Sequence, residues 1–160
     1  MLLRLLARVF NIFPVRWQRR FVTAAHDRFL VGVVGLGAYG DGRLILARHR
    51  FGEPRWRFLG GFLSAHERVE EALAREVREE TGLEIEVGPP LEVTAGHRWQ
   101  RIEIVFGFRV VGGEQRLTGE VAEVRGFTPG ELPELRADQR GVLERHASAV
   151  AEWARAGAAR

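Results

Sequence analysis

The sequence predicts a mixed α/β fold in one domain, preceded by a helical arm. Three observations carry this. Strand-like and helix-like segments follow one another in the order β, β, β, α, β, β, β, α, which points to one mixed sheet covered by helices. The 160 residues suit one domain with a short appendage. The first 22 residues differ from the rest: their apolar positions recur at helical spacing with Arg set between them.

In that arm Leu2, Leu5, Leu6, Val9 and Phe13 share a helical period, and Arg4 and Arg8 interrupt the apolar run. The interruption argues against a signal peptide, and no run reaches the ~20 apolar residues of a membrane span. Pro14 breaks or restarts the helix. Two readings of the arm follow. It packs on the domain or on a second copy, as a homodimer. Alternatively it lies on an anionic membrane surface through residues 1–22, with Trp17, Arg16, Arg19 and Arg20 at the interface. We divide the chain into an arm over 1–25 and a domain over 26–160.

Phe29–Ala38 is a near-continuous apolar run rich in Val and Gly, which predicts a buried strand. Asp41-Gly42 is a hairpin signal, and Arg43–His49 is the returning strand. Gly35 and Gly37 inside the first strand indicate close packing or a bulge. Residues 50–59 form a loop leading to a short strand that contains Trp56 and Phe58. Further strands are expected at Glu84–Val87, Leu91–Thr94, Arg101–Val111 and Val121–Phe127. A closing helix is expected over Asp138–Ala158, capped by Asp138, with Val142, His146, Val150 and Trp153 on one face.

Composition removes several chemistries. There is no cysteine, so disulfides, thiolate metal sites and cysteine nucleophiles are excluded. All 24 basic residues are Arg, so Schiff-base lysines and a phosphate-loop lysine are excluded as well. The Arg bias fits a GC-rich coding sequence, and it also suits a surface that meets phosphate through bidentate forks. A cytoplasmic location is the expectation.

The chemistry concentrates in Gly60–Leu83. Gly60 and Gly61 allow close backbone approach. A helix is expected from Ser64 or Ala65 to Thr81, stopped by Gly82 in the left-handed conformation. At about 100° per residue, Glu80 lies roughly +40° and Glu79 roughly −60° from Glu76. These three carboxylates therefore share the face of Val69, Ala72, Leu73 and Val77, while Glu71, Arg75 and Arg78 point largely away. Carboxylates crowded on an inward face are costly unless compensated. A divalent cation compensates them, because Mg²⁺ takes oxygen ligands and retains some water. The competing reading is a solvated acidic face paired to Arg75 and Arg78.

The spacing is more specific than the helix. The pattern G-x5-E-x7-R-E-U-x-E-E-x-G-U, with U a bulky aliphatic residue, is filled at every fixed position by Gly61, Glu67, Arg75, Glu76, Val77, Glu79, Glu80, Gly82 and Leu83. In this the chain resembles the Nudix hydrolases. The upstream hairpin and the downstream Glu120–Phe127 and Glu131–Pro133 segments extend the resemblance over about Phe29–Leu143.

The resemblance implies a Nudix-like α/β/α sandwich around a mixed sheet. The implied activity is hydrolysis of a nucleoside diphosphate linked to a group X, a small-molecule substrate, with no specific nucleic acid as partner. It implies Mg²⁺ or Mn²⁺ held by Glu76, Glu79 and Glu80. Glu67 would be a weaker ligand or a brace between loop and helix. Arg75 would orient a box glutamate, with Glu79 its expected partner at i,i+4. The water's proton would go to a box carboxylate or to a later one, Glu120 or Glu123, with Glu103 behind them. Candidate substrate contacts outside the box are Trp56, Arg57, His97, Arg98 and Trp99, beside the backbone of Gly60 and Gly61.

Four positions depart from common family usage. Leu59 replaces a Pro, Ser64 an acidic residue, His66 a Gly, and Gly126 an aromatic. A non-catalytic nucleotide-binding or regulatory module of the same fold would lose box carboxylates, and this box is complete. An isomerase of the same fold would need a cysteine.

Overall fold

The computed structural model describes residues 11–96 and 100–159. Its elements are α1 (Val15–Ala25), β1 (Leu30–Ala38), β2 (Leu44–His49), β3 (Trp56–Arg57), β4 (Leu59–Phe62), α2 (Val69–Thr81), β5 (Leu83–Gly96), β6 (Arg101–Gly113), β7 (Val121–Phe127) and α3 (Ala137–Ala158). Among the described residues, no helix is long and apolar enough to cross a membrane.

β1 is the spine of the sheet. It runs parallel to β6 along its whole length, from Leu30 opposite Arg101 to Ala38 opposite Arg109. Its other edge is shared. Near the Asp-Gly turn it pairs with β2 at Gly37–Ile45 and Ala38–Leu44. Further down it pairs with β4, from Gly35–Leu59 to Gly32–Phe62. The expected hairpin is therefore present but short. β2 diverges after two pairs and joins β3 and β7 instead.

From Gly32 onward β1 is buried because both faces are covered, while Leu30 at its start is exposed. Val34, Leu36 and Ala38 join a core under α3 with Val105, Val142, Leu143 and Val150. Val33 joins a second core under α2 with Leu73, Val77, Phe106 and Phe108. Gly35 and Gly37 make room in the second core. A Cβ on Gly35 would lie 2.4 Å from the Phe108 ring, and one on Gly37 2.1 Å. The close-packing reading of these glycines holds.

Several expected boundaries shift. The two strand pieces after the box are one strand, β5, which absorbs Gly88-Pro89-Pro90 through register shifts against β6. The closing helix starts at Ala137, with Arg136 at its N-cap and no side-chain cap. Asp138 sits in the first turn and pairs with Arg136 at 2.6 Å, so it is not the cap. The arm helix α1 restarts after Pro14, as expected, but buries none of its residues.

Candidate active site

The box helix begins at Val69, five residues later than the Ser64 start expected from the sequence. The delay has a local cause. His66 adopts φ 71°, a left-handed conformation that interrupts a helix, and Glu67 folds back instead of continuing it. Glu67 Oε1 accepts the Ser64 N–H at 2.5 Å. The Arg68 N–H then donates to Glu71 at 3.0 Å, the reciprocal half of a capping box. At the other end Gly82 has φ 75°, and its N–H donates to the Arg78 carbonyl at 2.9 Å, the glycine stop expected.

Arg75 does not point away from the carboxylates. It turns inward and ties the loop to the helix. Nε donates to Glu67 Oε2 at 3.0 Å and Nη2 to Glu67 Oε1 at 2.9 Å. Nη1 donates to Glu76 Oε1 at 2.9 Å and to Glu79 Oε2 at 3.2 Å, and Nη2 also reaches the Phe62 carbonyl at 3.1 Å. Spacing on the helix missed this because the long Arg side chain crosses its own flank. The decisive partner is Glu67, eight residues back and outside the helix. Those bonds from Arg75, helped by the Ser64 N–H, hold the Glu67 carboxyl down at about 2. Both Glu67 oxygens are taken by protein donors, and through them Glu67 ties the loop to the helix.

Glu76 lies against the backbone of the preceding strand. The Phe62 N–H donates to its Oε1 at 3.3 Å, and a Cβ on Gly61 would fall 2.3 Å from its carboxyl carbon. Gly60, at φ 149°, could carry a Cβ only 2.1 Å from the Val33 carbonyl oxygen. The glycine pair thus lets the strand lie flush on β1 while Glu76 lies over it.

Glu80 is the most perturbed carboxyl. Burial first, and then the charges of Glu76, Glu120 and Glu79, push it up to about 7. Its Oε2 is buried and has no hydrogen-bond partner among the described residues. Glu79 is more open, with about half of its side chain exposed. Four carboxylates are therefore electrostatic neighbours here, one of them buried and unpartnered. That donor set suits a hard divalent cation. Among the described residues, no three such groups already converge as a formed cage, and Arg75 engages Glu76 and Glu79. The residues fit a divalent ion by type and charge, and loading it would redirect carboxylates now bonded to Arg75.

Glu120 reaches this group through the segment ahead of β7. The Arg116 N–H donates to the Thr81 carbonyl at 2.7 Å and the Thr118 N–H to the Glu80 carbonyl at 3.0 Å, docking the loop on the C-terminal end of α2. The Thr118 hydroxyl also donates to the Glu79 carbonyl. The Glu120 carbonyl accepts the Arg50 N–H at 2.8 Å. Glu123 is placed differently. It lies opposite Arg48 across β2 and β7, accepts from Arg48 at 2.9 Å, and pairs with Arg125. Those two cations, Arg48 foremost, hold its carboxyl below the usual range. Glu103 pairs with Arg101 and lines a cavity of about 160 Å³ with Phe58, Gln139 and Val142, on the α3 side of the sheet. The structure thus brings Glu120 to the box and leaves Glu123 and Glu103 apart from it.

Of the expected substrate contacts, Trp56 packs edge-on against Phe127 at 4.9 Å under the Arg125 guanidinium. Arg57 donates to the Pro54 carbonyl at 3.0 Å and the Phe51 carbonyl at 3.3 Å. His97, Arg98 and Trp99 lie outside the described residues. Sequence reasoning passed over His49. Burial foremost, with Arg57 adding to it, lowers its pKa, and the charge of Glu120 opposes them. Its Nε2 is buried without a partner among the described residues. It carried no motif signal, being one residue of an ordinary strand. Gly126 is packed by Tyr39, whose ring would lie 3.0 Å from a Cβ there.

A model of the NUDIX domain matches residues 28–146, well over half of the chain. The chain belongs to the Nudix family. A MutT-like protein of Streptomyces ambofaciens is 35% identical over 108 residues, 68% of this chain and 70% of that one. An ADP-ribose pyrophosphatase of Methanocaldococcus jannaschii is 37% identical over 89 residues, 53% of each chain. This chain therefore spans only about half the length of that second relative. Among solved structures, a Nudix hydrolase from Nitrosomonas europaea superposes with a TM-score of 0.70 at 20% identity, covering 77% of this chain and 72% of the other. A MutT Nudix hydrolase from Burkholderia pseudomallei gives 0.65 at 26% identity, covering 75% and 99%. The α/β/α sandwich around a mixed sheet is the Nudix fold.

Proposed function

We propose that this Nudix protein is a metal-dependent pyrophosphohydrolase that cleaves a nucleoside diphosphate linked to a further group X. The observation that carries the reading is the buried, unpartnered carboxylate oxygen of Glu80 beside Glu76, Glu79 and Glu120. A buried acid with acidic neighbours is costly unless a cation is held there. Glu76, Glu79 and Glu80 would hold Mg²⁺ or Mn²⁺. When bound, the ion supplies neutralisation of diphosphate charge and acidification of water.

The chain's own residues do the rest. Arg75 fixes Glu76 and Glu79 from one side and is itself fixed by Glu67. Gly60 leaves room for the β1 backbone and Gly61 for the Glu76 carboxylate, which keeps Glu76 seated over the strand. Glu120 accepts the proton of the water that attacks phosphorus in line. Glu123 is a poor base, because two Arg side chains keep its proton affinity low. Arg57, Trp56, Arg98 and Trp99 are the candidates to contact X or the base. The ADP-ribose pyrophosphatase relative makes ADP-ribose the first compound to try. We place this activity in the domain over 26–160, in a cytoplasmic protein acting on a small nucleotide and not on a specific nucleic acid.

A panel of ADP-ribose, other nucleoside diphosphate derivatives and nucleoside triphosphates, with Mg²⁺ or Mn²⁺, tests the proposal. Release of a nucleoside monophosphate from a member of the panel is the expected result. Absence of turnover on every member with either metal would overturn it.

A further inference from the structure

We infer that helix α1 is a docking surface for an anionic lipid bilayer, a property separate from the hydrolase reading. The helix presents two faces. Set Trp17 at zero and advance about 100° per residue. Ala24, Phe21, Ala25, Val22 and Val15 then fall between roughly −20° and +160°, with Gln18 the one polar residue among them. Arg19, Thr23, Arg16 and Arg20 fill the arc from roughly 200° to 300°. The helix therefore has an apolar side and an arginine side.

Among the described residues, neither side of α1 is packed away. No residue of α1 is buried, and its apolar side chains are open: Val15 is 77% exposed, Phe21 55% and Trp17 43%. Phe13 stands edge-on to Phe21 at 6.2 Å, and the Arg20 guanidinium lies 5.7 Å from the Trp17 ring centroid. The apolar exposure continues through Phe29 and Leu30 at the start of β1, each about half exposed.

Charge selects the occupant. Residues 1–26 contain five Arg and no Asp or Glu, the first acid being Asp27. A neutral partner would leave the arginines without a role, and a nucleic acid would leave Trp17 and Phe21 in water. An anionic bilayer takes both faces at once, with rings at the acyl boundary and guanidinium groups at the headgroups. One short helix gives reversible attachment, since stable anchoring needs a second signal.

The test is co-sedimentation of the full chain with vesicles of phosphatidylcholine alone, or of phosphatidylcholine with one third phosphatidylglycerol. Binding to the anionic vesicles that weakens as salt rises is expected. R16E/R19E/R20E should lower the partition coefficient by about 100-fold, each arginine contributing about tenfold or less. Trp17→Ala/Phe21→Ala should lower it by about tenfold or more. Nucleotide hydrolysis should be unchanged in both variants, which also shows that they fold. Equal binding to neutral and anionic vesicles, or no binding to either, would overturn the inference. So would tighter, α1-dependent binding to single-stranded RNA, or light scattering that shows α1 holding two copies together.

Discussion

Arg75 holds Glu67 in a two-point grip, with Nε on one carboxylate oxygen at 3.0 Å and Nη2 on the other at 2.9 Å. The same guanidinium reaches Glu76 and Glu79, so one side chain sets the loop, the helix and two box carboxylates at once. Arg75→Lys keeps the charge and loses the fork. It should weaken metal affinity by about 10–100-fold, the usual cost of losing a supporting partner. Isothermal titration with Mn²⁺ checks this.

The brace also has a pH signature. Glu67 sits at about 2 when folded against an ordinary value of 4.5. Its contribution to stability is therefore complete above 4.5 and is lost as pH falls from there toward 2. Glu67→Gln should flatten that part of the stability profile, measured by urea unfolding between pH 3 and 6. An acid limb as steep as the wild type's would contradict the brace.

Gly60 and Gly61 fail differently when given a side chain. Gly60→Ala drives a Cβ into the β1 backbone and should cost about 3 kcal/mol. Gly61→Ala meets the movable Glu76 carboxylate, so stability should change less while metal affinity falls. Thermal melts with and without Mg²⁺ separate the two.

His66 carries a left-handed backbone that glycine adopts freely. His66→Gly should raise stability by about 1 kcal/mol. A loss of stability would show that the imidazole makes a contact worth more than the strain.

Glu80 gives a prediction with two signs. Its folded pKa is raised, so its contribution is favourable below 4.5 and is lost as pH rises toward 7. At pH 8 in EDTA, Glu80→Gln should therefore stabilise the protein by about 1 kcal/mol, the displacement being discounted for partial exposure. The same variant should lose most of the stabilisation that Mg²⁺ gives the wild type.

Much of this site was legible in the sequence because its spacing is fixed by covalent geometry. Glu76, Glu79 and Glu80 had to share a helical face, and Gly82 had to end it. The start of α2 was not legible, because a non-glycine residue at φ 71° and a carboxylate folding back leave no periodic trace. Nor was the direction of Arg75, since its main partner lies outside the helix. In the sheet, the apolar run of β1 showed that it is buried. It could not show that three different strands share its edges, because register depends on long-range pairing. The choice between Glu120 and Glu123 also needed the docking of the 114–120 segment on α2.

We propose that the box carboxylates hold a divalent cation for diphosphate hydrolysis, and the Mg²⁺-dependent rate of Glu79→Gln beside the wild type, on the best substrate of the panel, checks this. Glu79 is half exposed and outside the core, so the variant should fold. The rate should fall by about 10³-fold or more, as for loss of a group essential to charge stabilisation. Wild-type turnover in Glu79→Gln, or full wild-type turnover in EDTA, would contradict the account.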